Sequence, residues 1–447
     1  MGTVTETVPR PSLWSATHLR TTVGIAALAF LFAFEALAVA TVMPQVAEEL
    51  HGLSWYAAAF AAPLASSVVA YALAGRWIDR QGTRPAIAVG VAVFCGGLLL
   101  AGLAPSMPVL MAGRLVQGLG AGACGVAIYV VVAQAYDEAL RPAAFAVLSA
   151  AWVVPALVGP VLAAAVADLA GWRWIFLAVP ALALPAWWLI RDTPTAPAET
   201  TGAAPRGMVW WAVLAAGGVM AVSVAGQRQV VAWPALIAAG CVAVLVSGPR
   251  LLPPGTWRLR PGMPSAILTR GLLFGAYTVA EVYVPLLLRL ERGLSLSGAG
   301  LVLTGAAVTW FAGSWTAART VRLGDRRVWL GSAICALGIA GFTTVGAAAV
   351  PTLVPMASWA LAGFGIGLVF PAISSLTLEL APDGAEGEAS AALQLDDALL
   401  LAFGLALSSV VFAAFADSAP VGAATALVLG GAALACCAVA PALRLRG

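Results

Sequence analysis

Apolar runs follow one another along the whole chain and are separated by short polar segments. A helix needs about 20 consecutive apolar residues to cross the hydrocarbon core of a bilayer. The runs predict fourteen membrane-spanning helices, the first at 21–47, the second at 54–76 and the last at 420–442. The predicted fold class is therefore an all-α polytopic membrane protein.

Two connections are richer in proline and polar residues than the others, and they divide the spans into six, two and six. Residues 191–207 begin with RDTPTAPAETTGAAPR, and residues 249–263 read PRLLPPGTWRLRPGM. Such compositions are typical of linkers. We predict the following segments: an N-terminal segment at 1–20, six-helix bundles at 21–190 and 264–442, two additional helices at 208–248, and a C-terminal segment at 443–447.

Short motifs recur at matching places in the two predicted bundles. The glycines of QGLGAGA at 117–123 align with those of AGFGIGL at 362–368, at an offset of 245 residues and in the fourth span of each bundle. DRQGTR at 79–84 and VRLGDR at 321–326 both follow a second span. This recurrence predicts two pseudo-repeated halves, as in secondary transporters whose substrate site lies between repeats.

The composition agrees with a membrane protein, since 62% of residues are hydrophobic, only 10% are charged and the mean hydropathy is +0.96. All 23 basic residues are arginine, and 18 of them fall in the N-terminal segment and in every second connection. The positive-inside rule then predicts cytoplasmic N- and C-termini in a multi-pass plasma-membrane protein. The six cysteines lie in apolar segments and lack metal-ligand spacing.

Two ionisable residues in the first predicted bundle are candidates for proton coupling or substrate binding. Glu35 lies near the middle of the first span, and Arg114 lies inside the fourth. A buried guanidinium is costly, so we expect Arg114 to meet a carboxylate or backbone carbonyls. A purely structural, hydrogen-bonded role remains the alternative for both residues.

Acidic residues in the second bundle are further candidates. Glu281 lies on a helical stripe that mixes polar and aromatic residues, and Asp397 shares a face with small and polar residues. Asp396 shares a face with leucines, so we favour Asp397 as the cavity-facing acid. Competition between a proton and a cationic substrate for one carboxylate would couple their flows, whereas a permanently neutral or paired acid would be structural.

Aromatic residues deep in the spans either pack or line an apolar pocket that offers stacking and cation–π contacts. We name as candidate cavity aromatics Tyr277, Trp310 and Trp315.

Three motifs stand out along the first predicted bundle: GRWIDRQGTR at 75–84, RLVQGLGAG at 114–122 and GPVLAA at 159–164. In that order, they resemble the loop signature, the fourth-helix motif and the fifth-helix motif of the major facilitator superfamily. The six-two-six count resembles the fourteen-helix drug:proton antiporter branch. The chain departs from the branch pattern at Pro155, Ala163 and Ala164, where glycine is usual, and at Glu35, where aspartate is usual.

The resemblance implies roles for two sets of residues. The loop motif would form a gating latch through Asp79, with Arg84 anchoring the loop, and the glycine motifs would let helices pack closely. The gating residues are Gly75, Asp79, Arg80, Gly82 and Arg84, and the packing residues are Gly118, Gly122, Gly159 and Pro160.

The leading hypothesis is a secondary active transporter that couples the efflux of lipophilic small molecules or drugs, cations among them, to protons by alternating access. We expect no cofactor besides the proton gradient, no nucleic-acid partner and a monomer in the lipid bilayer. An exporter of a lipid or lipid-linked metabolite, and a non-transporting receptor or scaffold, are the alternatives. An enzyme is disfavoured, since no H-E-x-x-H motif occurs and Asp396 and Asp397 point to different faces.

Overall fold

A computed structural model describes residues 12–137, 140–193, 207–226, 232–320, 326–380 and 386–445. These residues form helices and connections without strands, and fourteen of the helices are long and apolar enough to cross a membrane, which confirms the predicted fold class. The helices are α1 (Leu19–Glu49), α2 (Ala58–Gln81), α3 (Thr83–Gly102), α4 (Met107–Ala135), α5 (Arg141–Ala170), α6 (Arg173–Ile190), α7 (Met208–Ala225), α8 (Trp233–Leu251), α9 (Met263–Arg292), α10 (Leu296–Arg319), α11 (Arg326–Phe342), α12 (Leu353–Glu379), α13 (Glu386–Phe415), α14 (Pro420–Cys437) and the short α15 (Val439–Ala442).

The junction between α2 and α3 is a single residue. The apolar run predicts that the second span ends at 76, but α2 continues to Gln81, and α3 begins at Thr83. Gly82 between them has a φ of 80°. Positive φ favours glycine, because a Cβ would crowd the backbone there, so Gly82 permits the sharp reversal.

In the N-terminal half, α4 packs closely against both α2 and α3. A Cβ added to Gly118 would collide with the backbone of Pro63 in α2, and one added to Gly120 would collide with the backbone of Phe94 in α3. Glycines therefore let α4 approach both neighbours at backbone distance.

The C-terminal half repeats this packing 245 residues later. Helix α12 packs closely against α10 and α11. A Cβ at Gly363 would meet the carbonyl of Ala306 in α10, and one at Gly365 would meet the backbone of Cys335 in α11. The aligned glycines thus make equivalent contacts, as a pseudo-repeat requires.

The two additional helices lie along the seam between the halves. Helix α7 packs against α2 of the first half and α13 of the second, and α8 packs on α7. A Cβ at Gly218 of α7 would meet the carbonyl of Gly240 in α8. Helix α7 therefore contacts both halves.

The halves are joined at one end of the bundle. We call the end that carries residues 12–18 and 443–445 the terminal face and the other end the opposite face. At the opposite face, the Tyr56 hydroxyl donates to the Val282 carbonyl at 2.7 Å, and Arg289 pairs with Glu48 at 3.2 Å. Each contact links the first half to the second, so both hold this end of the bundle together.

Candidate functional site

Glu35 of α1 and Arg114 of α4 form a buried ion pair in the N-terminal half. Arg114 Nη1 donates to Glu35 Oε1 and, at 2.8 Å, to Gln117 Oε1, while Arg114 Nε donates to the Ala59 carbonyl at 3.3 Å. The side chains of the ion pair are each 4% exposed. The structure thus supplies both kinds of partner that the sequence predicts for Arg114.

This cluster follows from where its members lie on their helices. Arg114 and Gln117 are three residues apart on α4, so their side chains share one helical face. Glu35 reaches that face from the middle of α1. Gln117 was not among the predicted site residues, although its spacing from Arg114 is a usable signal.

A second ion pair joins α9 to α13 in the C-terminal half. Arg270 Nε lies 3.2 and 3.0 Å from the two carboxylate oxygens of Asp397, and Nη2 lies 2.7 Å from Oδ2. Arg270 Nη1 donates to Ser374 of α12 at 2.8 Å. The guanidinium also lies 3.9 Å from the ring centroid of Phe370. Asp397 is thus held by a planar fork that matches a carboxylate.

Arg270 is one of the 18 arginines that predict the cytoplasmic side, and it also begins the polar and aromatic stripe of Glu281 on the ninth span. The structure places it inside α9 with a side chain that is 11% exposed. An arginine near the start of a span can point to water or into the bundle, and the sequence does not separate these cases.

Asp396 lies on another face of α13 from Asp397, as the sequence predicts. It is fully buried, and neither carboxyl oxygen has a hydrogen-bond partner within the described part of the chain. A Cβ added to Gly271 of α9 would collide with its carboxyl group. Asp396 therefore fills a tight contact between α9 and α13.

Glu281 remains apart from both ion pairs. It is half-buried on α9, and the phenol of Tyr277, four residues earlier, lies within electrostatic reach of its carboxylate. No arginine pairs with Glu281 among the described residues. Glu281 is thus a half-buried acid whose negative charge is not balanced by an ion pair.

Aromatic rings from α9, α10 and α12 form a continuous cluster. Tyr277 stacks on Trp359 with centroids 4.9 Å apart and meets Trp310 edge-on at 5.4 Å. Phe370 contacts Trp310 at 5.8 Å and Phe274 at 5.6 Å. Tyr277 and Trp359 are buried, whereas Trp310, Phe370 and Phe274 are half-buried. We call these three half-buried residues the aromatic wall.

The comparison with family models decides the family. The model of the Major Facilitator Superfamily matches residues 25–395, which is most of the chain. The chain belongs to the major facilitator superfamily. It is therefore a secondary transporter rather than an enzyme.

Relatives and solved structures agree with this assignment. A Mycobacterium tuberculosis protein named "Probable multidrug-efflux transporter" is 27% identical over 434 residues, which cover 91% of each chain. A POT family transporter has a TM-score of 0.67 at 15% identity and covers 94% of both chains. A D-xylose–proton symporter has a TM-score of 0.65 at 16% identity and covers 93% of this chain and 97% of its own. The structural likenesses show the superfamily fold.

The superfamily loop motif is anchored within its own half. Arg84 donates through Nε to the Arg191 carbonyl and through Nη2 to Asp192 at 2.9 Å, which ties the start of α3 to the end of α6. Arg80 is exposed in the last turn of α2. The side chain of Asp79 lies outside the described residues, so its latch role remains a prediction.

The fourth- and fifth-helix motifs of the superfamily differ in how tightly they pack. A Cβ at Gly122 would meet the backbone of α2, whereas one at Gly159 would lie 3.6 Å from Phe34, an ordinary contact. The carbonyl of Pro160 abuts Gly300 of α10. Close approach at α5 therefore depends on Gly300 of the other half rather than on Gly159.

Two predicted site residues lie in open surroundings. A Cβ at Gly75 would meet no atom within 4 Å, so this glycine is not needed for close helix approach. Trp315 is 56% exposed and stacks with Arg319 at 3.2 Å, away from the aromatic wall. The structure does not bring Trp315 together with Tyr277 and Trp310.

Proposed function

We propose that this transporter couples the efflux of lipophilic small molecules, cations among them, to the proton gradient by alternating access. The observation that carries the proposal is the buried Glu35–Arg114 pair in the bundle of a superfamily transporter. Ionisable residues inside membrane bundles commonly mark proton or substrate pathways.

The proton step acts on this pair. When Glu35 takes up a proton, it loses the charge that attracts Arg114, which retains the Gln117 and Ala59 oxygens as partners. The contact between α1 and α4 then weakens without leaving the guanidinium unsolvated. Loss of the proton restores the pair, so protonation biases the position of α1.

In this proposal, the aromatic wall and Glu281 bind the substrate. Half-buried rings offer stacking and cation–π contacts, and a half-buried carboxylate without an arginine partner can balance a positive charge. The similarity to the mycobacterial protein named as a multidrug-efflux transporter supports efflux.

In the proposed orientation, the protein is a monomer of the plasma membrane with cytoplasmic termini, as the arginine distribution favours. The opposite face would then be external, and its contacts between Tyr56 and Val282 and between Arg289 and Glu48 would close the exit. The described conformation would be sealed toward the outside.

Transport by the purified protein in liposomes tests the proposal. We expect an imposed pH gradient to drive a fluorescent lipophilic cation, and Glu35→Gln to abolish the gradient-driven movement. Glu49→Gln is the matched control on the same helix, since Glu49 pairs with Arg173 in solvent at the opposite face, and we expect near wild-type transport.

The same assay separates the alternatives. Equal gradient-driven transport by the wild type and Glu35→Gln would contradict the coupling role of Glu35. Movement of a labelled lipid without movement of the cation would favour a lipid exporter. Movement of neither would favour a receptor or scaffold.

A further inference from the structure

Asp396 occupies a site that fits a neutral carboxylic acid and not a carboxylate. Its side chain is fully buried, and both carboxyl oxygens lack a hydrogen-bond partner within the described residues. Buried apolar side chains lie along both helices here. Leu393 is on the same face of α13 as Asp396, and Ile267 is one turn before Gly271 on α9. A charge placed there would lose its hydration without compensation.

Arg270 is the arginine that the structure describes beside these two acids, and its hydrogen bonds are already committed. All three guanidinium nitrogens of Arg270 are engaged, by Asp397 and by Ser374. The region therefore holds two adjacent acids and one cation that is bonded to only one of them. With Asp397 ionised and paired, a proton on Asp396 makes the group of three electrically neutral.

The other ionisable groups that the structure describes nearby do not change this balance of charge. Tyr71 of α2 lies within electrostatic reach of Asp397, and Tyr129 of α4 within reach of Arg270, and a phenol is neutral near pH 7. The Gly271 amide of α9 lies within electrostatic reach of the Asp396 carboxyl, but its geometry is not that of a hydrogen bond. In a helix that amide belongs to the backbone ladder, so it offers little to a carboxylate.

We propose that Asp396 is a second proton-binding site, in the C-terminal half, and that Asp397 serves as the counter-ion of Arg270. This inference rests on the proposed proton-coupled transport and adds a proton to its cycle. In the described conformation the proton resides on a carboxyl oxygen of Asp396 against Gly271.

Release of that proton requires a change in the contact between α9 and α13. If the contact opens toward the terminal face, water reaches the carboxyl, the proton leaves to that side, and the charge of Arg270, which acts on Asp396 through space, stabilises the new carboxylate. In the conformation that is open at the opposite face, Asp396 takes a proton from water on that side before the contact closes again, so one proton crosses the bundle from the opposite face to the terminal face. One proton is bound and one released in each cycle.

Infrared spectroscopy tests protonation directly and does not depend on transport. We expect the purified wild-type protein to show the carbonyl stretch of a protonated carboxylic acid at neutral pH, and Asp396→Asn to lose that intensity. Asp417→Asn is the control, because Asp417 is exposed just beyond α13. An unchanged band in Asp396→Asn would overturn the proposal.

Proton stoichiometry tests whether this proton moves. The number of protons exchanged per fluorescent cation is measured in liposomes from the pH gradient that stops net transport. We expect Asp396→Asn to exchange one proton fewer than the wild type. A lost infrared band with an unchanged stoichiometry would make Asp396 a static acid and overturn the proposal.

The outcomes separate this inference from the proposed function. Absence of any proton exchange in the wild type would overturn the proposed function and the coupling role together, while the infrared band would still report on Asp396. Loss of coupling in Glu35→Gln with normal stoichiometry in Asp396→Asn would overturn only the second site. Asp396→Ser, which is smaller than the native residue, serves as the second variant if Asp396→Asn does not fold.

Discussion

Glu35 and Arg114 form an ion pair between α1 and α4 although their positions in the chain differ by 79. Both side chains are 4% exposed, and Gln117 accepts a further hydrogen bond from the same guanidinium nitrogen. Because water hardly reaches either charge, each is stabilised mainly by the other. Removing one partner leaves an uncompensated buried charge, whereas removing both leaves none.

Replacement of Arg114 alone should be strongly destabilising. Arg114→Ala leaves the Glu35 carboxylate buried without its cation, which costs about 3–5 kcal/mol for a buried pair. We expect a clearly lower thermal unfolding midpoint in detergent. The double variant with Glu35→Gln and Arg114→Gln should recover most of the stability, because no charge is then buried. An Arg114→Ala protein as stable as the wild type would contradict the pairing.

Glycine substitutions should separate close packing from open positions. Gly118→Ala places a methyl group against the backbone of Pro63, and Gly363→Ala places one against Ala306, so each should cost about 1–3 kcal/mol. Gly75→Ala is the matched control in the same bundle, since open space surrounds it. Alanine favours a helix by up to about 1 kcal/mol over glycine, so this variant should be neutral or stabilised. Thermal unfolding in detergent measures all three, and an equal loss at Gly75 would refute the distinction.

The sequence predicts the helices and the repeat well because both depend on local patterns. A run of apolar residues must be long enough to cross a bilayer, so run length predicts each span. The aligned glycines of 117–123 and 362–368 predict equivalent close contacts, because only glycine permits backbone approach at those places. Neither inference needs the arrangement of distant helices.

The pairing of charges does depend on the arrangement of distant helices, so it is harder to predict from the sequence. The sequence predicts that Arg114 needs an acid, but Glu35 is one of several buried candidates, and helix placement selects it. The direction in which a side chain points around its helix axis also decides whether it reaches the site. Trp310 and Trp315 are five residues apart on α10, and only Trp310 joins the aromatic wall.

Arg270 should not be replaceable by lysine. Arg270→Lys retains the charge but loses the planar fork that contacts both oxygens of Asp397 and the Ser374 hydroxyl. The loss of charged hydrogen bonds should lower the free energy of unfolding by about 1.5–3 kcal/mol. Thermal unfolding in detergent measures the loss. Arg80→Lys is the control, because Arg80 is exposed, and it should behave like the wild type. Equal stability of the two variants would indicate that a point charge suffices.

Closure of the opposite face should depend on the Tyr56 hydroxyl. Tyr56→Phe removes the hydrogen bond to the Val282 carbonyl, which joins the two halves. One such bond contributes about 1 kcal/mol, or roughly a five-fold change in the ratio of closed to open protein. Tyr283→Phe is the matched control, because that hydroxyl donates to Ser408 within the same half. We expect it to leave the ratio unchanged.

Distances between spin labels measure this equilibrium. Leu103 at the end of α3 and Ala348 before α12 are exposed positions on the opposite face, one in each half. Tyr56→Phe should raise the population with the longer distance between these labels, whereas Tyr283→Phe should give the wild-type distribution. If both variants shifted the distribution equally, the effect would come from general loosening of the aromatic contacts and not from the hydrogen bond between the halves. A shift confined to Tyr56→Phe would identify this bond as part of the closure of the opposite face.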